Sequence, residues 1–118
     1  MKLGEVVEGL KPKENIMAIP DYQTIMLPLL KYAGDDQEHS MREAVDFLAD
    51  EFELSEEELK EMLPSGTQKL FNNRVGWALT YIRKAGLIES PKRGVFKITD
   101  RGQQVLSQSV EKIDNKFL

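Results

Sequence analysis

The 118-residue chain has no cysteine, one histidine and one tryptophan. Without cysteine, a disulfide scaffold, a thiolate metal site and a cysteine nucleophile are all excluded. The lone His39 excludes any site built from several histidines. No apolar run approaches the ~20 residues of a membrane span, and the N-terminus lacks the apolar core of a secretory signal. The expectation is a cytoplasmic protein with no membrane contact. Five prolines and eight glycines leave no low-complexity tract or internal repeat. A chain of this mass buries roughly two thirds of its unfolded surface, enough for one independent core.

Charge is present in quantity but unevenly placed. Residues 1–66 carry six Lys/Arg against sixteen Asp/Glu, and residues 67–118 carry ten against four. The net charge of −4 therefore hides a −10 half and a +6 half. A basic half in an acidic chain points to a polyanionic partner, unless the two halves neutralise each other across an internal contact.

Periodicity supplies the elements. Residues 1–16 lack a pattern and read as a tail. Asp21 is a candidate N-cap for a helix with the stripe Tyr22, Ile25, Met26, Leu29 and Leu30, which Pro28 would kink or begin. Ser40-x-x-Glu43 and Ser55-x-x-Glu58 match the capping box. The first opens a helix with the stripe Met41, Ala44, Val45, Leu48 and Phe52, and the second a short helix ending at Pro64. Glu56, Glu57 and Glu58 suit a positive helix end better than paired-carboxylate catalysis. The longest helix is expected over Thr67–Ala85, stopped by Gly86, with Phe71, Val75, Ala78, Leu79 and Ile82 inward. Opposite them fall Lys69, Asn73, Gly76, Thr80 and Lys84, with Arg83 on the shoulder; Leu70, Arg74, Trp77 and Tyr81 line a flank.

Next come two short strands, Leu87–Ser90 and Val95–Ile98, around the turn Pro91-Lys92-Arg93-Gly94. Thr99 caps a last helix with Val105, Leu106, Val110 and Ile113 inward. Three helices, a basic hairpin and a following helix predict a mainly α protein with a small β-hairpin, a winged helix-turn-helix. The 67–85 helix is then the recognition helix and the hairpin the wing. Lys69, Asn73, Arg74, Thr80, Arg83 and Lys84 are expected to serve the DNA groove and its phosphates, and Lys92, Arg93 and Lys97 the wing. Gly76 would allow close backbone approach, while Trp77 and Tyr81 are expected to pack a neighbouring element. His39 reads as a surface residue.

The run from Ile19 to Gly102 resembles the N-terminal domain of Mrr-type restriction endonucleases. The specific pieces are LPSGTQKLFNNRVGWALTYIRKAGLIE, RGVFKITDRG and the tail EKIDNKFL. The resemblance covers about residues 17–118. It implies a modification-dependent, type IV restriction system that cuts methylated DNA, with an N-terminal domain that engages double-stranded DNA, methylated or not. It also implies a metal-dependent nuclease domain lying C-terminal to this one. Residues 17–110 would be the winged-helix domain and 111–118 the start of a linker to that nuclease domain. Glu58-Leu59-Lys60 is the chain's Glu-x-Lys, but it sits in a capping box on a helix, so no catalytic residue, metal or cofactor is expected here. A winged-helix protein-interaction module and a dimeric transcription regulator stay open as alternatives.

Overall fold

The computed structural model describes residues 19–108, so the expected tail 1–16 and linker 111–118, with Val110 and Ile113, lie outside the described residues. In chain order the elements are α1 (Tyr22–Tyr32), a 3-10 turn (Ala33–Asp35), β1 (His39–Ser40), α2 (Met41–Glu51) and α3 (Glu56–Lys60). They continue with α4 (Leu70–Lys84), β2 (Ile88–Glu89), β3 (Val95–Ile98) and α5 (Asp100–Ser107). The described part is mainly helical with a three-stranded antiparallel sheet in the order β1-β3-β2.

The helix starts follow from local chemistry. The Asp21 carboxylate accepts the Thr24 amide at 2.8 Å, fixing the first turn of α1. Both capping boxes form: Ser40 with Glu43 and Ser55 with Glu58 exchange side-chain and backbone bonds reciprocally. α1 begins at Tyr22 and continues across Pro28. The bond that proline forfeits would have gone to Thr24, an exposed residue. The core joins Ile25, Met26, Leu29 and Leu30 of α1 to Leu48 of α2 and to Phe71, Val75, Ala78 and Ile82 of α4. Leu87, Ile88, Phe96, Ile98 and Val105 close its far side.

Three elements differ from the expectation. α3 ends at Lys60, short of Pro64, as Glu61 turns to an extended backbone. α4 begins at Leu70 rather than Thr67, because Lys69 forms a bridge with Met62 in the segment that follows α3. The Leu63 amide donates to the Gln68 carbonyl at 2.9 Å and the Leu70 amide to the Glu61 carbonyl at 2.8 Å. Gly66, at φ 72°, turns the chain between them. The sheet also has a third strand. His39 pairs with Phe96 and Ser40 with Val95, so β3 is central and the hairpin is braced from the acidic half.

His39 is therefore no ordinary surface residue. Its side chain is only 13% exposed, and Nε2 lies 2.8 Å from the Asp35 carboxylate. The ring sits between Tyr32 and Phe96, at centroid distances of 4.3 and 6.1 Å. The hydrogen bond to His39 is the main cause holding the Asp35 carboxyl below its ordinary range.

Candidate nucleic-acid interface

α4 buries one stripe and leaves the opposite face to polar groups. Lys69 stands at its N-cap without a side-chain capping bond. One turn on, the Asn73 amide donates to the Gln68 side-chain oxygen at 3.1 Å, so two amide side chains are held together at the helix start. Thr80 returns its hydroxyl to the Gly76 carbonyl at 2.9 Å. Arg83 and Lys84 are exposed in the last turn, where cations complement the helix dipole. Lys69 and Lys84 thus mark the two ends of a face about 22 Å long at 1.5 Å per residue.

Three residues keep their places on the wheel but differ from the roles expected of them. Gly76 is not open backbone: a Cβ there would stand 3.6 Å from the Met41 side chain, so α2 shields it. Arg74 donates to the Ile19 and Pro20 carbonyls at 2.8 and 3.3 Å, on the flank away from Lys69 and Thr80. Trp77, expected to pack a neighbour, is 50% exposed. Tyr81 takes the packing role instead, stacked on Tyr22 at 5.0 Å, and Trp77 only leans on Tyr81 at 6.1 Å.

The hairpin continues directly from α4. Gly86, at φ 80°, ends the helix, and the Thr99 hydroxyl donates to the Gly86 carbonyl at 2.6 Å. In the hairpin, Ile88 pairs with Ile98 and Glu89 with Lys97. Phe96 and Ile98 are buried while Val95 and Lys97 are not, as strand alternation requires. Lys92 and Arg93 sit exposed in the connecting turn, and Gly94 at φ 77° makes that turn. Lys92 lies 3.7 Å from Glu38, and Lys97 3.9 Å from Asp36. Among the described residues Arg93 has no such carboxylate.

Sequence reading missed Arg42. It lines an open groove of about 600 Å³ together with Met41, Val45, Asp46 and Ala49 of α2, Leu59 of α3, and Lys69 and Asn72 at the start of α4, so that one carboxylate shares the groove with the two cations. The available signal was electrostatic. Arg42 is a cation in the first turn of a helix in a strongly acidic stretch, where the macrodipole favours acids. The groove brings it together with Lys69, which the helical wheel of α4 alone cannot do.

Glu58 of the Glu-x-Lys triplet is committed to its capping box. Among the described residues no group of three or more His, Asp or Glu side chains is placed to hold a metal ion, and no helix is long and apolar enough to cross a membrane.

Comparison with known proteins bears on this arrangement. The family described as the Mrr N-terminal domain matches residues 22–108, from the first residue of α1 to the last described residue. The chain belongs to that family. A curated relative, the type IV methyl-directed restriction enzyme EcoKMrr of Escherichia coli (strain K12), is 31% identical over 87 residues. That match takes in 73% of this chain and 28% of the relative, so the chain matches little more than a quarter of the relative's length. No solved structure matches. The resemblance drawn from LPSGTQKLFNNRVGWALTYIRKAGLIE and RGVFKITDRG is borne out at the level of the family.

Proposed function

We propose that this Mrr N-terminal domain binds double-stranded DNA as a winged helix-turn-helix module, and that it is the target-recognition part of a restriction endonuclease acting on methylated DNA. One observation carries the reading. The polar, cationic face of α4 passes through a single tight turn into a hairpin whose tip bears Lys92 and Arg93. The element order and the sheet order β1-β3-β2 agree with a winged helix, with α4 as recognition helix and the β2–β3 turn as wing.

In this reading Asn73, steadied by Gln68, meets a base edge from the start of α4, an amide being suited to adenine. Arg83 and Lys84 serve the other end of the face. Lys69 and Arg42 hold phosphates beside the groove, and Lys92, Arg93 and Lys97 hold them at the wing. Thr80 lines the face between the two ends. Arg74 belongs to the fold more than to the DNA. Catalysis belongs to a separate nuclease domain of the parent protein, and the setting is the cytoplasm.

Fluorescence anisotropy with matched methylated and unmethylated duplexes, over a range of salt, tests the proposal. Salt-sensitive binding that weakens on charge reversal at Arg93 supports it, and a preference for the methylated duplex locates modification sensing in this domain. No binding at low salt overturns it. A second reading, a protein-interaction module or a dimeric transcription regulator, is favoured by exposed apolar side chains: Trp77 beside Tyr81, with Phe47 and Met62 elsewhere on the surface.

A further inference from the structure

The wing's cations face carboxylates from the acidic half of the same chain, and the backbone fixes those carboxylates in place. Asp35 accepts the Gln37 amide at 2.9 Å and holds His39 at 2.8 Å. Asp36 turns the loop in a left-handed conformation at φ 64°, with its amide on the Ala33 carbonyl. His39 and Ser40 then pair with Phe96 and Val95, immediately before Lys97 on the same strand. The loop is thereby tied alongside the wing, and Asp36 and Glu38 stand 3.9 and 3.7 Å from Lys97 and Lys92.

These are poor stabilising contacts. All four side chains are between 37% and 69% exposed, and both separations exceed a hydrogen bond. They are accessible, and a phosphate oxygen making a true charge-assisted bond would displace either carboxylate. We infer that Asp36 and Glu38 compete with DNA phosphates for Lys97 and Lys92, and so hold down the domain's sequence-independent affinity for DNA. Arg93 is left to make the first unopposed contact. This rests on the DNA-binding reading. It also explains why an acidic loop is bolted to a basic hairpin: the −10 half of the chain tempers the +6 half at the surface where the two meet.

The test is anisotropy of the full chain with one duplex, comparing wild type with the Asp36→Asn/Glu38→Gln variant. Asparagine tolerates the left-handed backbone, so the loop keeps its shape. Two exposed pairs of ordinary strength correspond to binding about two- to thirty-fold tighter at low salt, with the difference shrinking as salt screens the pairs. In a Lys92→Gln/Lys97→Gln background the same neutralisation should gain nothing. Equal affinity of wild type and variant overturns the inference and leaves DNA binding intact. So does an equal gain with and without the lysines, which would assign the effect to the general field of the acids. Absence of binding by every protein overturns the DNA reading and this inference with it.

Discussion

The Arg74 guanidinium donates to the carbonyl of Ile19, fifty-five residues earlier in the chain, at 2.8 Å. A second bond to Pro20 at 3.3 Å makes it a clamp that seats the entry to α1 against α4. The same side chain also helps hold the Asp21 carboxyl below its ordinary range, after the stronger contributions of the Thr24 amide and hydroxyl. Bonds from a charged donor contribute about 1.5–3 kcal/mol. Arg74→Ala should lower unfolding stability by about that amount in urea titration, while DNA affinity of the folded protein changes little. Arg83→Ala should do the reverse, leaving stability nearly unchanged and weakening binding.

Gly102 faces the sheet with no room for a side chain. A Cβ there would overlap the Leu87 carbonyl oxygen and come within 2.6 Å of the Ile98 side chain. Backbone cannot yield as a flexible side-chain end would. Gly102→Ala should therefore lift α5 from the hairpin and destabilise the protein by about 1–3 kcal/mol or more, the usual range for overpacking. Thermal melts check this. An unshifted melting midpoint would mean that α5 docks more loosely than the contacts indicate.

Local features were legible in the sequence, and distant pairings were not. Asp21, the two capping boxes and Thr99 cap within four residues of themselves, so spacing alone located the starts of α2, α3 and α5 and offered Asp21 for α1, with Pro28 as the rival start. The inward stripe of α4 was equally plain, since a helical wheel needs no partner. The start of α4 was not, because Gln68 and Lys69 pair with Leu63 and Met62 in the segment after α3. β1 is two residues long and exists only because Phe96 and Val95 lie opposite. The wheel put Arg74, Trp77 and Tyr81 on one flank, but only the positions of Ile19 and Tyr22 decide which of them is used for packing. Arg42 entered the candidate interface in the same way, through a groove lined by three helices.

Acid should loosen the fold through two identifiable carboxylates. Asp21 is held below its ordinary value of 3.8 chiefly by the Thr24 amide, and Asp35 below the same value chiefly by His39. A folded pKa beneath the unfolded one means that the stabilisation is complete above the unfolded value and is lost as pH falls through the folded one. The melting midpoint should hold steady down to about pH 5 and decline below about pH 4. Asp21→Asn keeps an N-cap without the titration, so its acid decline should be shallower. An identical decline in that variant would assign the acid sensitivity elsewhere.

The wing's two turn cations should not contribute equally. Lys92 is opposed by Glu38, whereas Arg93 has no carboxylate partner among the described residues. Removing a phosphate contact lowers the slope of log affinity against log salt by about one unit. Arg93→Gln should cost nearly that full unit and the larger share of affinity. Lys92→Gln should cost less, because the glutamate already offsets part of its charge. Equal effects at the two positions would mean that the Glu38 pair is absent in solution.

Trp77 is the chain's one tryptophan, so its emission reports on a single place. Half of it is exposed, next to Tyr81 and at the border of the polar face of α4. Trp77→Ala should lower stability by about 1–2 kcal/mol at most, the share of the half-buried indole packed beside Tyr81. In the free protein acrylamide should quench the indole readily. If α4 lies in the major groove, the border of its polar face is covered too, and saturating duplex should protect Trp77 from quenching. If quenching is the same with and without bound DNA, the flank faces away from the duplex. Trp77 and Tyr81 would then be a surface for a protein partner, and Trp77→Ala should leave DNA affinity untouched.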